Sequence, residues 1–88
     1  MNTQARFETT RESAVREAAV IRKILADLVR TVQLIESEIA AEEGRAGVPD
    51  RSDVKYSILA RTLIERRDNL KMTIAALEQR HTERAIAA

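Results

Sequence analysis

Apolar residues recur at alternating steps of three and four along the first half of this chain. The series is Phe7, Ala14, Ala18, Ile21, Leu25, Leu28, Val32, Ile35 and Ile39, and only Arg11 interrupts it. A heptad spacing that persists over this length is typical of a helix whose apolar seam packs along another helix, as in a coiled coil. The sequence therefore predicts one long helix in this half of the chain.

A single short segment interrupts the helical pattern. Residues 44–50 hold both glycines and the only proline of the 88 residues. The flanking sequence is rich in Ala, Glu, Arg, Leu and Ile, most of which have high helix propensity. We predict one domain over residues 1–88, with a first helix over about 3–43, a loop at 44–50 and a second helix over about 51–85.

The expected helix ends rest on capping residues. Gly44 is predicted to end the first helix, because glycine adopts the left-handed cap conformation without steric cost. Either Asp50 or Ser52 is predicted to cap the second helix by accepting a backbone N–H. The start of the first helix has two alternatives, which are Thr3 and the capping-box pattern that begins at Thr9.

The second half of the chain carries a matching but less regular apolar face. Its members are Tyr56, Leu59, Ala60, Leu63, Leu70, Ile74, Leu77 and His81, with Arg67 at the centre. A short connection between two long helices forces them to lie antiparallel. The predicted fold class is therefore all-α, a long antiparallel helical hairpin that resembles a coiled coil.

Several apolar residues lie off these two faces. Val15, Ile24 and Val29 flank the first seam, Val20 and Leu34 lie behind it, and Ile58 and Met72 point away from the second. A two-helix hairpin has no enclosed interior, so these side chains need another surface to cover them. We expect two copies to form a four-helix bundle as a homodimer, since two-fold dimers are the commonest oligomers. A different protein partner on the same apolar surface is the alternative.

The residues expected to set the register or to form the interface are mostly apolar seam residues. They are Leu25, Leu28, Val32, Leu63, Leu70 and Ile74, together with the charged residues Glu36 and Arg67. Surface ion pairs contribute below about 1 kcal/mol each, but they disfavour slipped registers. If the chain folds back around Gly47, the opposite-sign pairs at one level are Glu42 with Lys55, Glu36 with Arg61, and Glu17 with Arg80.

Arg67 has two interpretations, because it interrupts an apolar face between Leu63 and Leu70. The favoured interpretation pairs it with Glu36 in a partly buried ion pair, within the hairpin or across a dimer, that fixes the register. The other interpretation makes it part of a site for a phosphate or carboxylate, with Arg66 and Lys71.

A small nucleic-acid-binding bundle is the alternative function. Its phosphate contacts would come from the densest basic group in the chain, Arg61, Arg66, Arg67 and Lys71. Glu65 and Asp68 dilute that group, and the whole chain has 15 basic and 14 acidic residues with only two aromatics. Nucleic-acid binding usually shows a basic excess on one face or aromatic side chains that stack on bases, so this alternative is the less favoured one.

No motif for catalysis, metal binding or cofactor binding is present in the sequence. The chain has no cysteine and only one histidine, His81, which we interpret as a structural residue at the edge of the seam. No uninterrupted apolar run is longer than that from Ala18 to Ile21, which is far below the roughly 20 residues of a membrane-spanning helix. The amino terminus also lacks the apolar core of a secretion signal. We therefore expect a cytoplasmic, non-enzymatic module for protein interaction or structural support, without cofactors.

Overall fold

The computed structural model describes the backbone of residues 3–87 and the side chains of residues 9–86. It contains two helices, α1 (Thr3–Ala46) and α2 (Ile58–Ala87), joined by residues 47–57. At about 1.5 Å per residue the helices are roughly 66 and 45 Å long. They lie side by side and antiparallel in a rod of 70 × 17 × 14 Å. The predicted all-α helical hairpin is confirmed.

The carboxyl end of α1 lies three residues beyond the predicted end. Gly44 is helical, and the helix continues to Ala46. Gly47 has a φ of 71°, and its N–H donates to the Glu43 carbonyl at 3.0 Å. This is the αL cap motif, in which the residue after the helix adopts the left-handed conformation that glycine tolerates. The prediction of a glycine cap was therefore correct in kind, but Gly47 supplies it instead of Gly44.

The start of the second helix was predicted wrongly, because residues 51–57 form turns instead of helix. The Asp50 carboxylate accepts both the backbone N–H and the hydroxyl of Ser52, at 3.0 and 2.7 Å. The Asp53 carboxylate accepts the N–H of Lys55 at 2.8 Å, and the Asp53 carbonyl accepts the N–H of Tyr56 at 3.0 Å. Short acidic side chains that bond the backbone two residues ahead compete with helix formation. Neither Asp50 nor Ser52 therefore caps α2.

Ser57 is the residue that caps α2. Its Oγ accepts the N–H of Ala60 at 3.2 Å, three residues into the helix, and its carbonyl accepts the N–H of Arg61. The same hydroxyl donates to Glu42 Oε1 at 2.9 Å. Because Glu42 lies on α1, this cap both starts α2 and ties its first turn to the other helix.

Two ion pairs between the helices show their register. Lys71 Nζ lies 3.6 Å from Glu36 Oε1, and Arg84 binds Glu17. The three predicted pairs, Glu42 with Lys55, Glu36 with Arg61, and Glu17 with Arg80, do not form among the described residues. The connection is longer than predicted, so Glu36 and Glu17 each meet a residue further along α2 than expected.

The buried core lies at the loop end of the rod. Among the described side chains, those that are buried are Val32, Ile35, Ile39, Tyr56 and Ala60. Tyr56 belongs to the connecting segment, so the loop itself covers part of the seam. Most of the remaining seam residues are half-buried between the helices: Ala18, Ile21, Leu25, Leu28, Leu63, Leu70, Ile74 and Leu77. Leu59 was predicted to lie on the second apolar face, but it is 52% exposed.

The amino-terminal end of α1 extends beyond α2. Ala85, near the end of α2, lies level with Ala14, because the two residues line the same groove. The start of α1 therefore lies beyond the end of α2. Arg11 and Ala14 line this groove but are exposed. The helix is continuous from Thr3, so Thr9 is an interior residue and does not start it. The predicted seam position of Phe7 lies outside the described side chains.

Candidate interaction surface

A polar cluster at the loop end holds the connecting segment against α1. The Tyr56 hydroxyl donates to Glu43 Oε1 at 2.7 Å, and Arg51 Nε lies 3.8 Å from the same oxygen. The Arg61 guanidinium lies 5.5 Å from the centre of the Tyr56 ring and donates to the Arg51 carbonyl at 3.4 Å. All of these contacts join the loop to the helices, so the cluster has a structural role.

This cluster was not predicted, because the apolar pattern of the second half of the chain placed Tyr56 on the second helix. A signal was nevertheless present, since Ser57 directly precedes the apolar residue Ile58 in a pattern typical of a helix start. Recognising Ser57 as the cap places Tyr56 in the loop. The hydrogen bond between Tyr56 and Glu43 depends on how the loop folds back, which local sequence patterns do not predict.

We expect the Tyr56 phenol to make the hairpin less stable at alkaline pH. Burial of the ring raises the pKa of Tyr56 above its usual value, and the hydrogen bond to the Glu43 carboxylate raises it further. A raised pKa in the folded state stabilises the fold below the unfolded pKa of about 10, and this stabilisation is lost as pH rises through the folded pKa. We expect the urea midpoint to fall as the pH rises above about 10, the pKa of the phenol in the unfolded chain.

Tyr56→Phe is the matched control for this dependence, because it removes the ionisable hydroxyl and keeps the ring. We expect the variant to be less stable near neutral pH and to lose less of its stability over the alkaline range. The two proteins have the same ionisable side chains apart from Tyr56, so the comparison cancels the contribution of all the others. An equal fall of the urea midpoint in both proteins would show that Tyr56 does not cause it.

Arg67 and Glu36 do not pair with each other within the hairpin. Arg67 is half-buried, and its Nε and Nη2 lie 3.1 and 3.0 Å from Oδ1 of the adjacent Asp68. Glu36 pairs instead with Lys71. The intrachain form of the predicted register pair is therefore wrong, because the shifted register places Lys71 opposite Glu36. A pairing of Glu36 with Arg67 across a dimer stays a prediction.

The four basic residues of the predicted anion or nucleic-acid site do not converge on one face. Arg61 lies over Tyr56, Arg67 binds Asp68, and Lys71 binds Glu36. Arg66 is exposed and lies about 100° around the helix from Arg67. Three of the four cations thus already have a partner in the hairpin.

His81 lies half-buried at the open end of the rod, away from the loop. It lines an apolar groove between the helices with Ala18, Ile21 and Arg84. Within residues 9–86, no group of three or more His, Asp or Glu side chains is arranged to hold a metal ion.

One broad side of the hairpin exposes a stripe of large apolar side chains, which we call the Leu34 face. It comprises Val20, Ile24 and Leu34 of α1 and Leu59 of α2, which are 58%, 42%, 59% and 52% exposed. The first three follow heptad-type steps, so they lie along one line of α1. Leu59 lies on the same side because it shares a groove with Glu38 and Ala41, and Ala41 is one heptad beyond Leu34.

The other broad side, which we call the Val29 face, is less apolar. Val15 and Val29 are 62% and 41% exposed and lie two heptads apart. Glu36 follows Val29 by one heptad and pairs with Lys71, which places this side across the seam from the Leu34 face. The two faces therefore differ in the number of large apolar side chains and in their charged neighbours.

The hairpin exposes more surface than a compact protein of its mass. Its accessible surface is 6959 Å² for 9.9 kDa, whereas a typical folded monomer of this mass exposes about 5,200 Å². The difference, roughly 1,800 Å², exceeds the approximately 800 Å² that one partner buries in a standard protein interface. The hairpin thus has ample surface for an interface.

Comparisons of the chain with models of protein families, with curated proteins and with solved structures found no match. Within the described part of the chain, neither helix is long and apolar enough to cross a membrane.

Proposed function

We propose that this chain is a non-enzymatic protein-interaction module that functions as a homodimeric helical bundle. The observation that carries the proposal is the Leu34 face, on which four large apolar side chains are between 42% and 59% exposed. Covering a large aliphatic side chain stabilises an assembly by about 1.5 kcal/mol or more. A second copy offers the same apolar face in return, which makes a two-fold pairing self-complementary.

The distribution of apolar residues supports an assembly over an isolated hairpin. The few fully buried side chains that the structure describes lie in the loop half of the rod. Toward the open end the seam is only half-buried, and α1 continues without α2 beside it. A hairpin with so small a core gains much of its stability from a partner that covers its sides.

A nucleic-acid-binding bundle is the competing function. Its cations would have to give up contacts that Arg61, Arg67 and Lys71 make within the hairpin. No comparable contact has to be broken to cover the Leu34 face, so the interaction module is the function that the geometry favours.

Sedimentation equilibrium of the full chain at micromolar concentration tests the proposal. We expect a single species with twice the mass of the 9.9 kDa chain. A well-folded monomer over the whole concentration range would overturn the homodimer.

A gel-shift titration with mixed RNA and duplex DNA at low salt tests the competing function, because phosphate contacts strengthen as salt falls. We expect no shift in that titration.

A further inference from the structure

We propose that the second copy packs on the Leu34 face with the two-fold axis parallel to the helices. Both loops then lie at the same end of the bundle, and α1 of each copy lies against α2 of the other. This inference rests on the proposed homodimer and specifies its interface and its orientation.

The Leu34 face has opposite charges on its two helices. Asp27 precedes Leu34 by one heptad, and Glu38 follows it by four residues and borders the Leu59 groove, so α1 contributes two acidic groups to the middle of this face. Its basic residues on this side lie at the two ends, where Arg45 binds Glu42 and Arg16 donates to Ser13. Arg66 follows Leu59 by one heptad and Arg80 by three, so α2 contributes basic groups. The charged groups of all four side chains lack an ion pair with any other described residue. They are therefore available to a second copy.

A two-fold axis in the plane of this interface can run in two directions. An axis perpendicular to the helices places α1 against α1 and α2 against α2, with the loops at opposite ends. Acidic groups then approach acidic groups, and arginines approach arginines. An axis parallel to the helices places the acidic stripe of α1 against the arginines of α2. Because unlike charges attract and like charges in an interface disfavour pairing, the charges select the parallel axis.

The heights of these residues along the rod agree with the parallel axis. A rotation about that axis does not shift residues along the rod. Each residue of α1 therefore faces those residues of the second copy's α2 that lie at its own height. Pairing of Glu36 with Lys71 and of Glu17 with Arg84 sets those levels. Glu38 is then level with Arg66 of the second copy to within about one helical turn.

The same levels bring together large and small side chains. In the hairpin, Leu59 lies beside Ala41 in one groove, so Leu59 of each copy meets Ala41 of the other across the interface. Asp27 lies within about one turn of Arg80 of the second copy. Alternation of large and small residues at facing positions allows helices to approach closely.

Charge reversal at one predicted pair tests the arrangement. In a homodimer of Glu38→Arg, the new arginine faces Arg66 of the other copy. In a homodimer of Arg66→Glu, the new glutamate faces Glu38 of the other copy, so like charges meet in both variants. We expect each variant alone to dimerise at least about 10-fold more weakly than the natural sequence. In an equal mixture, one copy has two arginines and the other has two glutamates at these positions, so both pairs of the heterodimer are of opposite sign. We expect the mixture to regain a dissociation constant close to that of the natural sequence.

Glu65→Arg is the matched control, because Glu65 is exposed and lies one heptad after Ile58 on the outer side of α2. We expect this variant to dimerise as the natural sequence does. A mixture of Glu38→Arg and Arg66→Glu that dimerises no better than either variant alone would overturn the inference.

A distance measurement separates this inference from the homodimer itself. Val54 is 96% exposed in the loop and the chain has no cysteine, so Val54→Cys can take one spin label per copy. We expect the two labels within roughly 30 Å, since neighbouring helices lie about 10 Å apart. A dimer with labels at about 45 Å or more, the length of α2, would keep the homodimer and overturn the parallel axis. A labelled chain that remains a folded monomer would overturn the homodimer itself.

Discussion

Replacing Ile35 by Ala is expected to lower the free energy of unfolding by about 3 kcal/mol, because it leaves a cavity in the small buried core. Ile35 is 2% exposed and lies one turn from Val32 and Ile39, which are also buried. Such a loss is a large share of the roughly 5–15 kcal/mol that stabilises a natural domain. Urea denaturation followed by the helical circular dichroism signal measures it, at one fixed chain concentration because a dimer's stability depends on concentration.

Met72→Ala is the control for Ile35→Ala, since both substitutions shorten an apolar side chain on a helix. Met72 is 72% exposed on the outer side of α2, and exposed substitutions of this kind usually change stability by less than about 0.5 kcal/mol. Equal losses in the two variants would contradict the conclusion that packing is concentrated at the loop end of the seam.

Placing carboxylates on the Leu34 face is expected to abolish dimerisation. The double variant Ile24→Asp/Leu34→Asp removes two apolar side chains per copy and adds charges that a packed interface leaves without partners. At about 1.5 kcal/mol or more for each lost side chain, the four losses in a two-fold dimer raise the dissociation constant at least about 10,000-fold. Sedimentation equilibrium at micromolar concentration should then show the monomer mass.

Val15→Asp/Val29→Asp makes a matched change on the Val29 face. These two valines are exposed to a similar degree on the same helix, so the variant has the same added charge and a comparable loss of apolar surface. We expect it to remain a dimer. Dissociation of this variant, with the Leu34-face variant still dimeric, would place the interface on the other side of the hairpin.

Most of the secondary structure could be predicted from the periodicity of apolar residues. The seam from Ala18 to Ile39 packs against α2 as the heptad pattern predicts. The failures lie at the connection, where Asp50 and Asp53 bond the backbone two residues ahead and keep residues 51–57 out of a helix. Helix propensity alone does not predict such turns, because their stability comes from specific side-chain acceptors.

The candidate surface was predictable only in part. The off-seam positions of Ile24 and Leu34 follow from helical spacing, and so does their exposure in a two-helix hairpin. The position of Leu59 on the same side depends on the register of α2, which differs by several residues from the predicted register. The partners of Arg67 and Glu36 were missed for the same reason.

The sequence by itself determined that this chain is an all-helical hairpin with more apolar surface than two helices can bury. Local spacing is enough for that conclusion, because the heptad pattern and the glycine-containing connection act over a few residues. Only the tertiary structure decided where α2 begins, which charges meet and which side presents the Leu34 face. Those features depend on the folded connection, in which Ser57 caps α2 and Tyr56 binds Glu43, and a shift of a few residues there changes every pairing along the rod.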